Sequence, residues 1–191
     1  MRETRTRDRL DRRRLTEHAV SRRDEPFTLA SGATSSHYVD VKAALCHPEI
    51  LRDVATAITD LAHAEGVAFT HVGGLTMGAD AVAVAVALNG GAQWFSVRKE
   101  PKQRGHGRVI EGARLGPGDR VLLVDDVVST GVSTLKALEA VTVAGATVAA
   151  AIPVVDRGVR LGSPRRHGVP RAIGSRDTCS ARCRHRAPED G

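Results

Sequence analysis

The segment VLLVDDVVSTGVST, residues 121–134, decides the fold. The apolar run at residues 120–124 has no polar interruption after its first residue, as is typical of a strand buried on both faces. Two adjacent carboxylates, Asp125 and Asp126, follow it, and then a loop rich in hydroxyl groups. Residues 132–144 predict a helix after that loop. A buried strand that leads directly into a helix indicates a βαβ unit, and hence a parallel sheet.

The sequence on both sides of this segment repeats the same alternation. Residues 47–66 have apolar positions at helical spacing, with Pro48 in the first turn and Gly66 at the end. Further strands are predicted at 67–72, 94–97 and 147–155, a buried helix at 79–88 and a mobile loop at 99–112. We therefore expect an α/β fold, a mainly parallel sheet flanked by helices.

Ligands of such sheets bind where the strands end. Residues 73–80, 98–108, 125–134 and 156–157 all follow predicted strands, and we expect them to meet at one edge. In the segment 125–134, hydroxyl groups and backbone N–H groups at a helix N-terminus suit a phosphate, and Gly131 lets the backbone approach the phosphate closely. Carboxylates repel phosphate but suit sugar hydroxyls or a Mg²⁺ ion beside it. The pattern therefore favours a ribose 5-phosphate site over a plain capped helix with exposed acids.

The segment 98–108, which follows the predicted strand at 94–97, is strongly basic. It contains Arg98, Lys99 and Lys102 among glycines, with Arg104, His106 and Arg108 beyond them. Cationic groups that close over a leaving polyphosphate would stabilise its developing negative charge. From the residues alone, a solvated basic hairpin remains equally open.

At this point the chain resembles the type I phosphoribosyltransferases, whose signature for phosphoribosyl pyrophosphate (PRPP) is similar to residues 121–134. Three more segments look like those of the orotate phosphoribosyltransferase family: FTLASGATSSHYVD at 27–40, VRKEPKQRGHGRVIEG at 97–112 and VVDRG at 154–158. GGLTMGADAVAVAVAL at 73–88 is similar to the family's pyrophosphate-side loop. The resemblance covers residues 26–158, in the family's order.

The resemblance implies the type I phosphoribosyltransferase fold with a small N-terminal hood, and transfer of ribose 5-phosphate from PRPP to orotate. It implies Lys99, Lys102, Asp125 and Asp126 as catalytic residues. Orotate would be bound by Tyr38, Ser129 and Arg157. PRPP would be bound by Arg98, Lys99, Lys102, Arg104, His106, Asp125, Asp126, Val127, Val128, Ser129, Thr130, Gly131, Val132 and Ser133. It also implies Mg²⁺ with few direct protein ligands, and a homodimer that shares the basic loop between subunits.

Two departures from the family pattern concern its cationic contacts. Ala30 stands where many members have a lysine that touches PRPP. Many members also read Lys-x-His-Gly in the loop, where this chain has Arg104 and, two residues later, His106. Two other residues could have purely structural roles instead of binding orotate. Arg157 could form an ion pair with Asp156, and Tyr38 could contribute to packing alone.

The distribution of charge bears on the class of partner. The 191 residues carry a formal net charge of +6, which would suit a nucleic-acid binder. However, residues 1–23 contribute +5, residues 157–191 contribute +6, and residues 24–156 contribute −5. We therefore expect small-molecule substrates and no nucleic acid as partner. No apolar run approaches the roughly 18–20 residues of a membrane span.

The cysteines and the two ends complete the sequence-based expectations. Cys46, Cys179 and Cys183 are too few and too unevenly spaced for a disulfide framework, and we expect a cytoplasmic protein. A metal site at Cys179, Cys183 and His185 lacks a second pair of ligands. We expect a poorly ordered Arg-rich arm at 1–25, although Leu10, Leu15 and Val20 could share a helical face. We also expect the phosphoribosyltransferase domain at 26–158 and a disordered basic tail at 159–191, which has few large aliphatic residues.

Three other functions remain open at this stage. The first is phosphoribosyl transfer to another base. The second is a non-catalytic module that senses PRPP, although such a module would not need the basic loop. The third is nucleic-acid binding through the basic ends at 1–23 and 160–191, which predicts a steeply salt-dependent affinity.

Overall fold

A computed structural model describes residues 12–28, 34–100 and 108–156. Its elements follow in the order α1 (Arg12–Ala19), β1 (Val20–Thr28), β2 (Thr34–Val39), α2 (Val41–Leu45), α3 (Pro48–Ala64), β3 (His71–Leu75), α4 (Asp80–Gly90), β4 (Gln93–Val97), β5 (Ile110–Gly112), β6 (Arg120–Val128), α5 (Val132–Val143) and β7 (Thr147–Asp156). The predicted tail at 159–191 lies outside the described residues.

The central sheet has the strand order β5-β4-β3-β6-β7. β4, β3, β6 and β7 are parallel to their neighbours, and the short β5 pairs antiparallel with β4. The expected α/β class with a mainly parallel sheet is therefore confirmed. β1 and β2 form a separate antiparallel pair, which with α1 and α2 makes a small N-terminal hood.

Both faces of the sheet are covered, and β6 shows this most clearly. Leu122 and Val124 pack in one core cluster together with residues of α3 and α4. Val121 and Leu123, which alternate with them, pack in a second cluster beneath α5. The uninterrupted apolar run thus serves two cores, as its sequence predicts.

The strand after α3 differs from its prediction in both bounds. β3 begins at His71 rather than residue 67, and it continues through Gly73 and Gly74, which the sequence analysis read as the end of the strand. A Cβ atom on Gly73 would collide with the carbonyl oxygen of Phe95, and one on Gly74 would collide with that of Val124. These glycines therefore permit close strand packing and do not end the strand.

The sequence predicts a buried helix at 79–88, whereas α4 is buried on one side only. Val82, Ala83, Val86 and Ala87 are buried, whereas Leu88 is 83% exposed. The Ala/Val repeat carries no polar residue to mark the outer face, so composition alone does not distinguish the two sides.

Only part of the N-terminal segment is helical: α1 spans Arg12–Ala19, Val20 begins strand β1, and Leu10 lies outside the described residues. α1 buries Leu15 and Ala19, which are 1% and 4% exposed. Regular structure thus begins at Arg12 among the described residues, ahead of Pro26. No helix in the described part of the chain has both the length and the apolar character to cross a membrane.

Candidate active site

Three of the four strand ends that the sequence singled out meet in one cleft of about 570 Å³. The loop after β3 contributes Thr76, Met77 and Gly78, and the segment after β4 contributes residues 98–100. The end of β6 contributes Asp125, Asp126 and Val127, and α5 contributes Ser133. Leu75 and, from α2, Lys42 complete the lining. Residues from five parts of the sequence therefore surround one space at the carboxyl edge of the sheet.

The two carboxylates belong to the last residues of strand β6 rather than to the loop after it. Asp125 pairs in register with Pro153 of β7, and it is only 7% exposed. The Asp126 backbone N–H donates to Asp125 Oδ1 at 3.0 Å, and the Val127 N–H donates to Asp126 Oδ1 at 2.7 Å. The sequence predicts a strand that ends at residue 124, before the acids. Both carboxylates instead lie within β6, which is bordered by β3 and β7.

The environment of Asp125 favours its neutral form. Burial, together with the negative charge of Asp126 beside it, raises the pKa of this carboxyl to about 7. The Lys42 ammonium group opposes the shift but lies closer to Asp126. Asp125 therefore changes its protonation state near neutral pH, where a small change in nearby charge shifts its ionised fraction.

Gly78 lets the loop after β3 lie directly against the acidic pair. A Cβ atom at this position would be 2.6 Å from Asp126 Oδ1 and 2.9 Å from Asp125 Oδ1. Any side chain here would push the loop away or displace the carboxylates. The close approach thus depends on the absence of a side chain.

The turn from β6 into α5 has the geometry expected of an anion site. Gly131 precedes the helix with φ 76° and ψ 0°, in the left-handed region that glycine adopts most readily. Its carbonyl oxygen accepts from Leu135 N–H at 2.9 Å, while no side chain caps the first N–H groups of the helix. These N–H groups at the positive end of the helix dipole can donate to an anion.

The basic side of the cleft is formed by Arg98 and Lys99, both exposed. Arg98 Nε donates to the Glu100 carbonyl oxygen at 3.3 Å, and its Nη1 lies 3.7 Å from Glu111 Oε1. These contacts hold Arg98 at the start of the basic segment. Lys102, Arg104 and His106 lie outside the described residues.

The other predicted site residues are placed as follows. Val128 is buried, Ser129, Thr130 and Val132 are exposed in and beside the turn, and none of the four lines the cleft. Tyr38 is 41% exposed on β2 and also does not line it. Arg157 lies outside the described residues, although Asp156 before it pairs in register with Val128.

Lys42, which was not among the predicted site residues, reaches the acidic pair from α2 in the hood. Its Nζ lies 3.1 Å from Asp126 Oδ2. The only signal in the sequence is compositional: the chain has 28 Lys and Arg residues, of which four are Lys, and Lys42, Lys99 and Lys102 are three of these. That signal does not show which lysines would meet.

The sequence of the chain is similar to those of known proteins. The chain is 44% identical over 131 residues to the orotate phosphoribosyltransferase of Pyrococcus furiosus, an alignment that covers 69% of this chain and 71% of that protein. The chain belongs to the orotate phosphoribosyltransferase family. The family member from Mycobacterium leprae is 41% identical over 133 residues, covering 69% of this chain and 73% of that protein. No protein-family model matches the chain.

Solved structures of family members have the same fold. The orotate phosphoribosyltransferase of Mycobacterium tuberculosis, crystallised in complex with PRPP, superposes with a TM-score of 0.61 at 33% identity, covering 77% of this chain and 81% of that one. The enzyme from Aeropyrum pernix gives a TM-score of 0.64 at 30% identity, with the same two coverages of 77% and 81%. The type I phosphoribosyltransferase fold expected from the resemblance is therefore confirmed.

The cleft offers little for a metal ion held by protein alone. Within residues 12–28, 34–100 and 108–156, no group of three or more His, Cys, Asp or Glu side chains is arranged to hold one. Asp125 and Asp126 supply hard oxygen atoms of the type that Mg²⁺ prefers.

Proposed function

We propose that this protein is an orotate phosphoribosyltransferase. It would transfer the ribose 5-phosphate group of PRPP to N1 of orotate, forming orotidine 5′-monophosphate and pyrophosphate, a step in pyrimidine (UMP) biosynthesis. The C1–oxygen bond to pyrophosphate breaks, the C1–N1 bond to orotate forms, and the N1 proton is lost. Membership in the family supports this assignment, as does the PRPP complex of the Mycobacterium tuberculosis protein.

The observation that carries the proposal is the pairing of charges across the cleft. Asp125 and Asp126 lie at one side, and Arg98 and Lys99 lie at another. PRPP has a neutral sugar between two anionic groups. Its ribose hydroxyls can donate to the carboxylates, and its phosphate oxygens can accept from the arginine and the lysine.

The acidic pair would act on the ribose. Carboxylate oxygens of Asp125 and Asp126 accept hydrogen bonds from the two ribose hydroxyls and thereby fix the ring. As the bond to pyrophosphate breaks, positive charge develops at C1, and a carboxylate held by a rigid strand stabilises it without reorganising. Asp125 contributes fully only when ionised, which favours neutral to alkaline pH.

The turn into α5 would bind the 5′-phosphate. Seven consecutive residues make up the proposed contact surface: Val127, Val128, Ser129, Thr130, Gly131, Val132 and Ser133. Hydroxyl groups and the uncapped N–H groups of the helix donate to the phosphate oxygens. The left-handed Gly131 turns the backbone so that these donors converge.

The basic segment would serve the pyrophosphate. Lys99 and Lys102 act as the catalytic cations that stabilise the charge on the leaving group, with Arg98, Arg104 and His106 as further contacts. We assign the orotate ring to Tyr38, Ser129 and Arg157, since a guanidinium group pairs well with the orotate carboxylate.

We further propose that Mg²⁺ is bound mainly by oxygen atoms of PRPP, next to Asp125 and Asp126. When bound, it would neutralise part of the pyrophosphate charge. We also propose a cytoplasmic homodimer in which the basic loop of each subunit serves the site of the other.

The decisive experiment mixes the purified protein with PRPP, orotate and Mg²⁺ and measures pyrophosphate release together with loss of orotate absorbance. We expect both in equal amounts, and neither when orotate is omitted. Release with a different base from a panel of purines and pyrimidines, but not with orotate, would reassign the acceptor. PRPP binding without release of pyrophosphate for any base would favour a sensing module instead.

A further inference from the structure

Among the described lining residues, Lys42 is the one that comes from the hood, and its surroundings fix its position. Helix α2 is short, but the Asp40 side chain caps it, accepting from Lys42 N–H at 3.1 Å and from Ala43 N–H at 3.4 Å. On either side of Lys42, Val41 and Ala44 are buried at 1% and 0% exposure. The backbone that carries the ammonium group is therefore anchored.

The two oxygen atoms of Asp126 have different partners. Oδ1 accepts from the Val127 backbone N–H at 2.7 Å, while Oδ2 lies 3.1 Å from Lys42 Nζ. A carboxylate has about four acceptor positions, so about two remain after these contacts. Because both oxygens are already held, the orientation of the free positions is set before a ligand arrives.

The degree of exposure also distinguishes this ion pair from an ordinary surface pair. The Asp126 side chain is only 15% exposed, whereas that of Lys42 is 57% exposed. The carboxylate is thus the desolvated partner, and the lysine compensates its charge. Attraction to Asp126 raises the pKa of Lys42, which keeps the ammonium group charged.

The charge balance of the cleft points in the same direction. Among the described lining residues, Lys42, Arg98 and Lys99 are basic, and Glu100, Asp125 and Asp126 are acidic. Without Lys42, these groups would carry an excess of negative charge once Asp125 is ionised, and that excess opposes the entry of a polyanion.

We propose that Lys42 is a positioning residue: it holds Oδ2 of Asp126 so that the free acceptor positions of this carboxylate face the ribose hydroxyls of PRPP. Lys42 acts through Asp126 and does not itself contact a phosphate. The hood thereby takes part in orienting the ribose. This inference rests on the proposed function, because it needs PRPP as the ligand.

The test is a double-mutant cycle on PRPP binding. Lys42→Met, Asp126→Asn and the double variant are compared with the unchanged protein by calorimetry in the presence of Mg²⁺. In the otherwise unchanged protein, we expect Lys42→Met to weaken PRPP binding about tenfold. This is the size of effect that is typical when a contact between two charged groups is lost. In the Asp126→Asn background, the same substitution should change binding by less than about twofold.

Two further variants separate positioning from folding. Lys42→Arg keeps the positive charge, and it should restore PRPP binding to within about threefold of the unchanged protein. Lys136→Met removes an exposed lysine of α5 that does not line the cleft, and it should leave binding unchanged. Thermal unfolding of each variant verifies the fold, and Lys42→Gln replaces the methionine variant if that one does not fold.

Three results would overturn the proposal. A tenfold loss that persists in the Asp126→Asn background would mean that Lys42 contacts PRPP directly. No loss on Lys42→Met, or no recovery with arginine, would remove its role altogether.

Orotate turnover is measured separately, so the two hypotheses can fail independently. PRPP binding without orotate turnover would contradict the proposed function alone, and the cycle would still decide the role of Lys42. No PRPP binding by the unchanged protein would overturn both.

Discussion

Replacement of Asp125 by asparagine should increase the stability of the fold above neutral pH. Asp125 is 7% exposed in the second half of β6, and burial together with the charge of Asp126 raises its pKa from 3.8 to about 7. The unfolded chain has no such burial, so there the carboxyl ionises near its ordinary value. Folding at pH 8 therefore places an ionised group where the structure favours a neutral one.

The sign of the effect follows from proton binding. Between about pH 4 and pH 7, the native state keeps a proton on Asp125 that the unfolded state has lost. The free energy of unfolding therefore decreases as the pH rises through this range, and the contribution becomes constant above pH 7. Each pH unit is worth about 1.4 kcal/mol, so the full contribution is about 4 kcal/mol of destabilisation.

The measurement is urea unfolding of the unchanged protein and of Asp125→Asn at pH 5 and pH 8, without PRPP and Mg²⁺. The variant lacks the ionisation, so its stability advantage should grow by about 3 kcal/mol between the two pH values. Asp53→Asn removes an exposed carboxylate on α3 and serves as the control, with no such change expected. Orotate turnover should be lost in Asp125→Asn, since the amide carries no charge to stabilise C1.

An advantage of Asp125→Asn that stays the same at pH 5 and pH 8 would refute this reasoning. It would mean that Asp125 ionises near its ordinary pKa, so that the structure does not penalise its charge.

Three further predictions test the proposed site. Gly78→Ala should weaken PRPP binding at least about tenfold, because its Cβ would lie 2.6 Å from an oxygen of Asp126; Gly116→Ala, whose Cβ would meet no atom within 4 Å, is the control, and equal affinity of the two variants would contradict the close approach. Lys102→Ala should reduce kcat by an amount equivalent to about 3 kcal/mol with little change in PRPP affinity, and an equal loss in both would argue against a role on the leaving group. Mixing Lys102→Ala with Asp125→Asn subunits should restore about a quarter of the activity of the unchanged protein, because half of the dimers would be mixed and would have one complete site of two; no recovery after subunit exchange would exclude a loop shared between subunits.

The sequence predicted those parts of the fold that depend on periodicity and composition. The sequence predicts that residues 120–124 are buried on both faces, because an apolar run without alternating polar residues has no polar side that could face water. The structure confirms this, since alternate residues of the run pack in two different core clusters. The helix over 47–66 is α3 (Pro48–Ala64), with Gly66 just beyond it at φ 68°. Three of the four expected strand ends also meet in one cleft, since parallel strands end at the same edge.

The sequence could not predict contacts between distant segments. Lys42 and Asp126 are 84 positions apart in the numbering, and no local pattern indicates that their side chains meet. Glycines were also misread, because a glycine that ends a strand and one that lets two strands pack closely look the same in a sequence. Only the neighbouring carbonyl oxygens distinguish the two cases.

That second use of glycine has a consequence for any mutational scan of this protein. In β3, added Cβ atoms at Gly73 and Gly74 would collide with backbone of the strands on either side, which no rotamer change can relieve. Every substitution at these positions is thus expected to lower the yield of folded protein and, with it, the apparent activity. A scan scored by growth would rank both glycines with the two aspartates, although only the aspartates are proposed to touch substrate. Dividing the activity score by the amount of soluble protein would separate the residues that build the cleft from those that work in it.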